Sequence, residues 1–205
     1  MRFAFVTFSA AGLGLAMLAG GLLASCSDPV PQTPDGAFFT AMINDDPSKC
    51  MIVGFTAQVG AVDGQNRNTV VSDGMSLVDG GSPTHVSCSI SGTTTYSVHG
   101  LIDDINGTGN YFEMQINDLK AGQSEADPAH GTGIISSASH TAGVAYQGPC
   151  DFWFTPSTKE AVNVANGAGR VWVTFSCAGL LSGMSTCPLK TGYAIFENCL
   201  TDSAM

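Results

Sequence analysis

From residue 37 onward the chain carries no helical periodicity of any length, and this constrains its fold more than any other feature. Short runs rich in Val, Ile, Thr, Phe and Tyr alternate with clusters of Gly, Asn, Asp and Ser, the pattern of strands joined by turns. The runs at 37–43, 50–59, 69–78, 84–91, 94–102, 110–117, 131–137, 142–147, 150–155, 170–177 and 193–198 are candidate strands. Such spacing predicts an all-β domain of about ten strands, an antiparallel β-sandwich or barrel-like sandwich. No repeat, linker or compositional break divides 37–205, which reads as a single domain.

Alternation assigns faces. In 110–117, Phe112, Met114 and Ile116 share one side and Tyr111, Glu113, Gln115 and Asn117 the other, so the apolar set faces the core. The partner of this strand is 94–102, joined through the turn 103–109. In the last third, 150–155 and 170–177 form a hairpin around Asn166-Gly167-Ala168-Gly169. Cys150, Phe152 and Phe154 then face inward with Val171, Val173, Phe175 and Cys177. Trp153 lies across from Thr174 and diagonal to Trp172, which sets both tryptophans side by side on the outer face.

The N-terminus is of a different kind. Residues 1–25 place Arg2 before an uncharged apolar run closed by small residues, the architecture of a secretory signal peptide. That run ends Leu23-Ala24-Ser25-Cys26, which resembles the lipobox of bacterial prolipoproteins. The resemblance implies cleavage before Cys26 and acylation of its sulfur, hence a membrane-lipid partner and a cell-envelope address. Ser27, in place of the Asp that retains lipoproteins at the inner membrane, implies the outer membrane in a two-membrane cell. Each buried CH₂ contributes about 0.8 kcal/mol, so two or three acyl chains hold firmly where one binds marginally. Residues 26–36 are the lipidated cysteine and a spacer; Pro29, Pro31 and Pro34 favour an extended segment of roughly 30 Å.

Seven cysteines occur. Without Cys26, the six others (Cys50, Cys88, Cys150, Cys177, Cys187 and Cys199) form three disulfides in an exported chain. Hairpin register pairs Cys150 with Cys177. Cys187 and Cys199 bracket a short segment with Gly192 as its turn and pair with each other, leaving Cys50–Cys88. No C-x-x-C occurs and His85, His99, His130 and His140 have no ligand-like spacing, so neither a metal nor another cofactor is expected. With no partner acid nearby in sequence, these histidines read as surface or loop residues.

Chemistry has few candidates. Lys and Arg total 7 against 17 acids, too few cations to grip phosphates, which excludes nucleic acid as a partner. There is no G-x-S-x-G nucleophile elbow. The four glutamates (Glu113, Glu125, Glu160 and Glu197) stand in no recognisable acid-pair setting. Asp45-Asp46 and Asp103-Asp104 read as solvated turn residues. Asp104-x-Asn106-Gly107 resembles part of a calcium loop, but its glycine comes too early and Gln115 stands where the closing Glu belongs.

The span from Val86-Ser87-Cys88 to Val173-Thr174-Phe175-Ser176-Cys177 is similar in outline to lipoprotein antigens of the mycobacterial 19-kDa type. That resemblance implies a β-rich surface protein without enzymatic activity and a Cys88–Cys177 disulfide, against the local pairing above. The sequence therefore predicts a lipid-anchored, non-catalytic envelope protein, structural or engaged with another envelope protein. The alternative is a carbohydrate-binding module stacking polysaccharide on an exposed Trp153/Trp172 pair.

Overall fold

The computed structural model describes residues 36–43, 50, 54–59, 71–74, 84–104, 109–137, 144–155, 160–165, 168–183 and 185–202. The strands in chain order are β1 (Gly36–Ile43), β2 (Phe55–Val59), β3 (Val71–Ser72), β4 (His85–Gly92), β5 (Thr95–Asp104) and β6 (Asn110–Lys120). They continue as β7 (Ala129–Ser137), β8 (Ala145–Trp153), β9 (Ala161–Ala165), β10 (Ala168–Ser182) and β11 (Ser185–Thr201). All belong to one sheet in the order β2-β1-β11-β4-β5-β6-β7-β8-β10-β9, with β3 on β1. The sheet curls until β10 pairs β11, giving the near-closed ring of a barrel-like sandwich. Every pairing is antiparallel except β11–β4, where Leu200 and Thr201 run beside Ser89 and Ile90.

Five inward phenylalanines fill the ring. Phe39 stacks on Phe112 with centroids 4.9 Å apart, Phe112 on Phe175 at 5.1 Å, and Phe152 on Phe175 at 5.7 Å. Phe196 stands 6.5 Å from Phe112. The predicted faces of β6 hold: Phe112, Met114 and Ile116 are fully buried. These rings fit because glycines face them. A Cβ on Gly192 would lie 2.3 Å from Phe175, and one on Gly100 would lie 2.6 Å from Phe196. Both distances are below any van der Waals contact, so each glycine is a notch cut for a ring.

Gly192 is therefore not a turn. It sits inside β11, a single strand of 17 residues that carries both Cys187 and Cys199. At ~3.3 Å per residue those cysteines stand roughly 40 Å apart along the strand, so the expected Cys187–Cys199 bond is geometrically excluded. Cys50–Cys88 and the Cys88–Cys177 bond implied by resemblance fall with it. The disulfides are Cys50–Cys187, Cys88–Cys199 and Cys150–Cys177; the last is the one that hairpin register predicts. Bulges explain how β11 turns side chains of both phases into the core. In its middle, Gly192, Ala194 and Phe196 point inward. The register shifts at Glu197/Cys199, where Asn198 adopts φ 60°, and again between Gly192 and Leu189. Each extra residue flips the side-chain phase, turning Cys199 at one end and Leu189 and Cys187 at the other into the core.

Three further differences follow from long-range pairing. The runs at 142–147 and 150–155 merge into β8, in which Pro149 lies where the β8–β10 ladder is broken between Ser176 and Leu181; a residue without an N–H is tolerated there. The expected loop between β8 and β10 contains β9, which pairs with β10 from Ala161↔Trp172 to Ala165↔Ala168. Asp104 is buried at the end of β5, receiving the Thr84 hydroxyl at 3.2 Å, and is no solvated turn residue. Asp45, Asp46, Asn106 and Gly107 lie outside the described residues, as do residues 1–35 with Cys26.

Two outcomes test this architecture. Gly192→Ala is expected to cost about 1–3 kcal/mol by overpacking against Phe175, measured by chemical denaturation of the oxidised protein. Non-reducing peptide mapping is expected to recover the three bonds named above. In the loop-entropy description, removing the bond of separation 137 then costs about 1.4 kcal/mol more than removing the one of separation 27.

Candidate functional site

The outer face of β8 and β10 holds the two tryptophans where alternation puts them. Trp153 pairs with Thr174, and Trp172 packs outside the main core against Ile195. Both are nearly covered, unlike the exposed pair that the carbohydrate-binding alternative requires: Trp153 is 8% exposed and Trp172 is 7% exposed. The Arg170 guanidinium lies over the Trp172 ring at 5.6 Å from its centroid, with Arg170 Nε 2.9 Å from Glu197 Oε1. On the other side, the chain leaving β8 returns along β10 as β9, setting Ala161 beside Trp172. The pair is thus mostly packed, and the exposed platform of the carbohydrate-binding alternative is not found.

Glu160 is the polar centre of this region. Its carboxylate accepts the Thr155 backbone N–H at 2.6 Å. The Thr174 hydroxyl lies 2.8 and 2.9 Å from its two oxygens, and the Thr155 and Thr174 hydroxyls are 2.9 Å apart. Glu160 is only 8% exposed. Beside it opens a recess of about 310 Å³, walled by Phe154, Thr155, Ala161 and Val162 and, opposite, by the turn Ala121–Ser124. The turn is held by the Phe154 N–H donating to the Gln123 carbonyl at 3.2 Å. A second recess adjoins it along Trp153, Ser124, Glu125 and Ala126. No local signal marks Glu160 in the sequence, because its partner Thr174 is fourteen residues away across a strand pairing.

His85, His99 and His130 lie at the surface as expected, but each meets an acid that the sequence did not pair with it. His99 Nε2 lies 3.0 Å from Glu113 Oε1, His85 Nδ1 lies 3.2 Å from Asp73, and His130 Nδ1 lies 2.8 Å from Asp151. Each acid comes from a neighbouring strand or turn 12 to 21 residues distant, so nearness in sequence does not find it. His140 lies outside the described residues. Among the described residues no three His, Cys, Asp or Glu side chains converge on a metal-sized position.

Glu113 is the best-defined ionisable group on the outer wall. The Tyr111 hydroxyl donates to its Oε2, and this bond, followed by the one from His99, holds the Glu113 carboxyl below the usual carboxylate range. Burial, then the bond to Glu113, pushes the Tyr111 phenol well above its ordinary value. No protein-family model, curated protein or solved structure matches the chain.

A lowered carboxylate stabilises the fold above its unfolded pKa of about 4.3, and that contribution is lost as pH falls through the folded value. Tyr111→Phe removes the largest cause. The Glu113 side-chain pKa is expected to rise toward the ordinary range, moving this acid loss to higher pH, as read by carbon-detected NMR titration.

Proposed function

We propose that the chain is an exported lipoprotein, fastened to the cell envelope through acylated Cys26, whose disulfide-braced β-domain acts by binding or by structural support and not by catalysis. One observation carries the tether. Three disulfides consume six of the seven cysteines, which leaves Cys26, at the end of the lipobox-like Leu23-Ala24-Ser25-Cys26, as the sulfur without a disulfide partner. The same three bonds mark the domain as extracytoplasmic, since they form and persist in oxidising compartments.

The non-catalytic reading draws support from how the carboxylates are used. Asp73 accepts the Val86 N–H at 2.8 Å, Asp118 the His130 N–H at 3.0 Å, and Asp202 the Gly92 N–H at 3.0 Å. Glu197 meets Arg170, and Asp104 takes the Thr84 hydroxyl. These acids brace turns and strand ends. The polysaccharide alternative lacks the open aromatic face it requires, because both tryptophans are more than nine-tenths buried.

Mass spectrometry of the membrane-extracted protein is expected to show residues 1–25 absent and Cys26 carrying two or three acyl chains. Cys26→Ser is expected to keep its leader and lose the lipid mass. An unmodified Cys26 with the leader attached overturns the proposal.

A further inference from the structure

The fold buries most of the Glu160 side chain, and among the described residues it gives the carboxylate no cation. The side chain is more than nine-tenths buried, and its hydrogen-bond partners are a backbone N–H and the hydroxyl of Thr174. Among the described residues no basic side chain lies within ion-pair distance of it; Arg170, the described cation of this outer face, pairs with Glu197. Burying a charge is costly unless it is both hydrogen-bonded and neutralised. Among the described residues the hydrogen bonding also leaves capacity. Thr174 has one hydroxyl proton, so with the Thr155 N–H the carboxylate receives two donors for about four acceptor positions.

Glu160 lines a recess of about 310 Å³, a volume at the lower end of small-ligand pockets. Its walls are apolar at Phe154, Ala161 and Val162, with the polar Gln123 and Ser124 opposite. The adjoining recess adds Glu125 and Trp153, a second anion and an aromatic ring. A hard metal ion is poorly served, since it calls for six or more oxygen ligands. A group offering positive charge, several N–H donors and an apolar body matches each wall. The net charge of −10 draws such a cation inward from solution.

We propose that this recess binds a small organic cation, its primary ammonium or guanidinium seated on Glu160 and its alkyl body lying against Phe154, Ala161 and Val162. The site goes beyond the envelope role proposed above and stands independently of acylation at Cys26.

The test uses the oxidised, full mature chain at low ionic strength, titrated with cadaverine and agmatine by calorimetry and by tryptophan fluorescence, with 1-pentanol and glucose as uncharged comparisons. Saturable binding of both amines and none of 1-pentanol or glucose is expected. Glu160→Gln, which keeps an acceptor for Thr155 but no charge, is expected to weaken binding at least tenfold. Glu113→Gln removes one charge from a different part of the outer wall and is expected to change affinity less than twofold. Ala161→Leu narrows the recess with the carboxylate intact and is expected to weaken binding at least fivefold; it decides the matter if Glu160→Gln proves unfolded by circular dichroism. The proposal is overturned by absent saturable amine binding, by equal losses in the Glu160 and Glu113 variants, or by undiminished affinity in Ala161→Leu.

Discussion

The C-terminal hairpin of β10 and β11 is the constraint on which the other elements depend. β11 is paired along both edges, to β10 on one side and to β1 and β4 on the other. Each of the three disulfides has one end on this hairpin: Cys177 on β10, Cys187 and Cys199 on β11. The opposite ends lie at Cys50, Cys88 and Cys150, spread along the preceding chain. Strands that would otherwise form an open meander are thus fastened to a common spine, and the ring closes around it.

Inside the ring, shape complementarity takes the place of bulk. Five phenylalanine rings occupy the centre, and Gly100 and Gly192 give two of them room where any side chain would collide. This arrangement gives part of the chain's glycine a packing role. The glycines act as packing elements within strands as well as breaks between them. A glycine inside a strand weakens it by itself, so the stacked rings and the disulfides together offset what the notches cost.

How much of this was legible in the sequence depends on range. Period-two alternation identified the strands and the inward set of β6, because each is a property of consecutive residues. The Cys150–Cys177 bond was legible for the same reason, through the register that also sets Trp153 against Thr174. Cys50–Cys187 and Cys88–Cys199 were not, because they depend on β1–β11 and β4–β11 contacts made across more than a hundred residues. Gly192 looked like a turn because its alternative role is visible only from Phe175, on the neighbouring strand. The tryptophans showed the correct face but not their cover, since Glu160 and β9 carry no strong strand signal and the packing that hides the rings is tertiary. The histidine–carboxylate pairs were hidden likewise, each being a ladder neighbour and not a chain neighbour.

A polypeptide made from its N-terminus outward presents Cys50, Cys88 and Cys150 well before any of their native sulfur partners exists. Until residue 177 and those beyond it share the oxidising compartment, the bonds those three thiols can make to one another are all non-native ones. The last thirty or so residues therefore act as a late clasp, and the chain must either stay reduced until they arrive or meet an isomerase that can undo a premature crosslink. The connectivity thus makes the order in which the thiols reach the oxidant a constraint on maturation, apart from the stability of the finished domain.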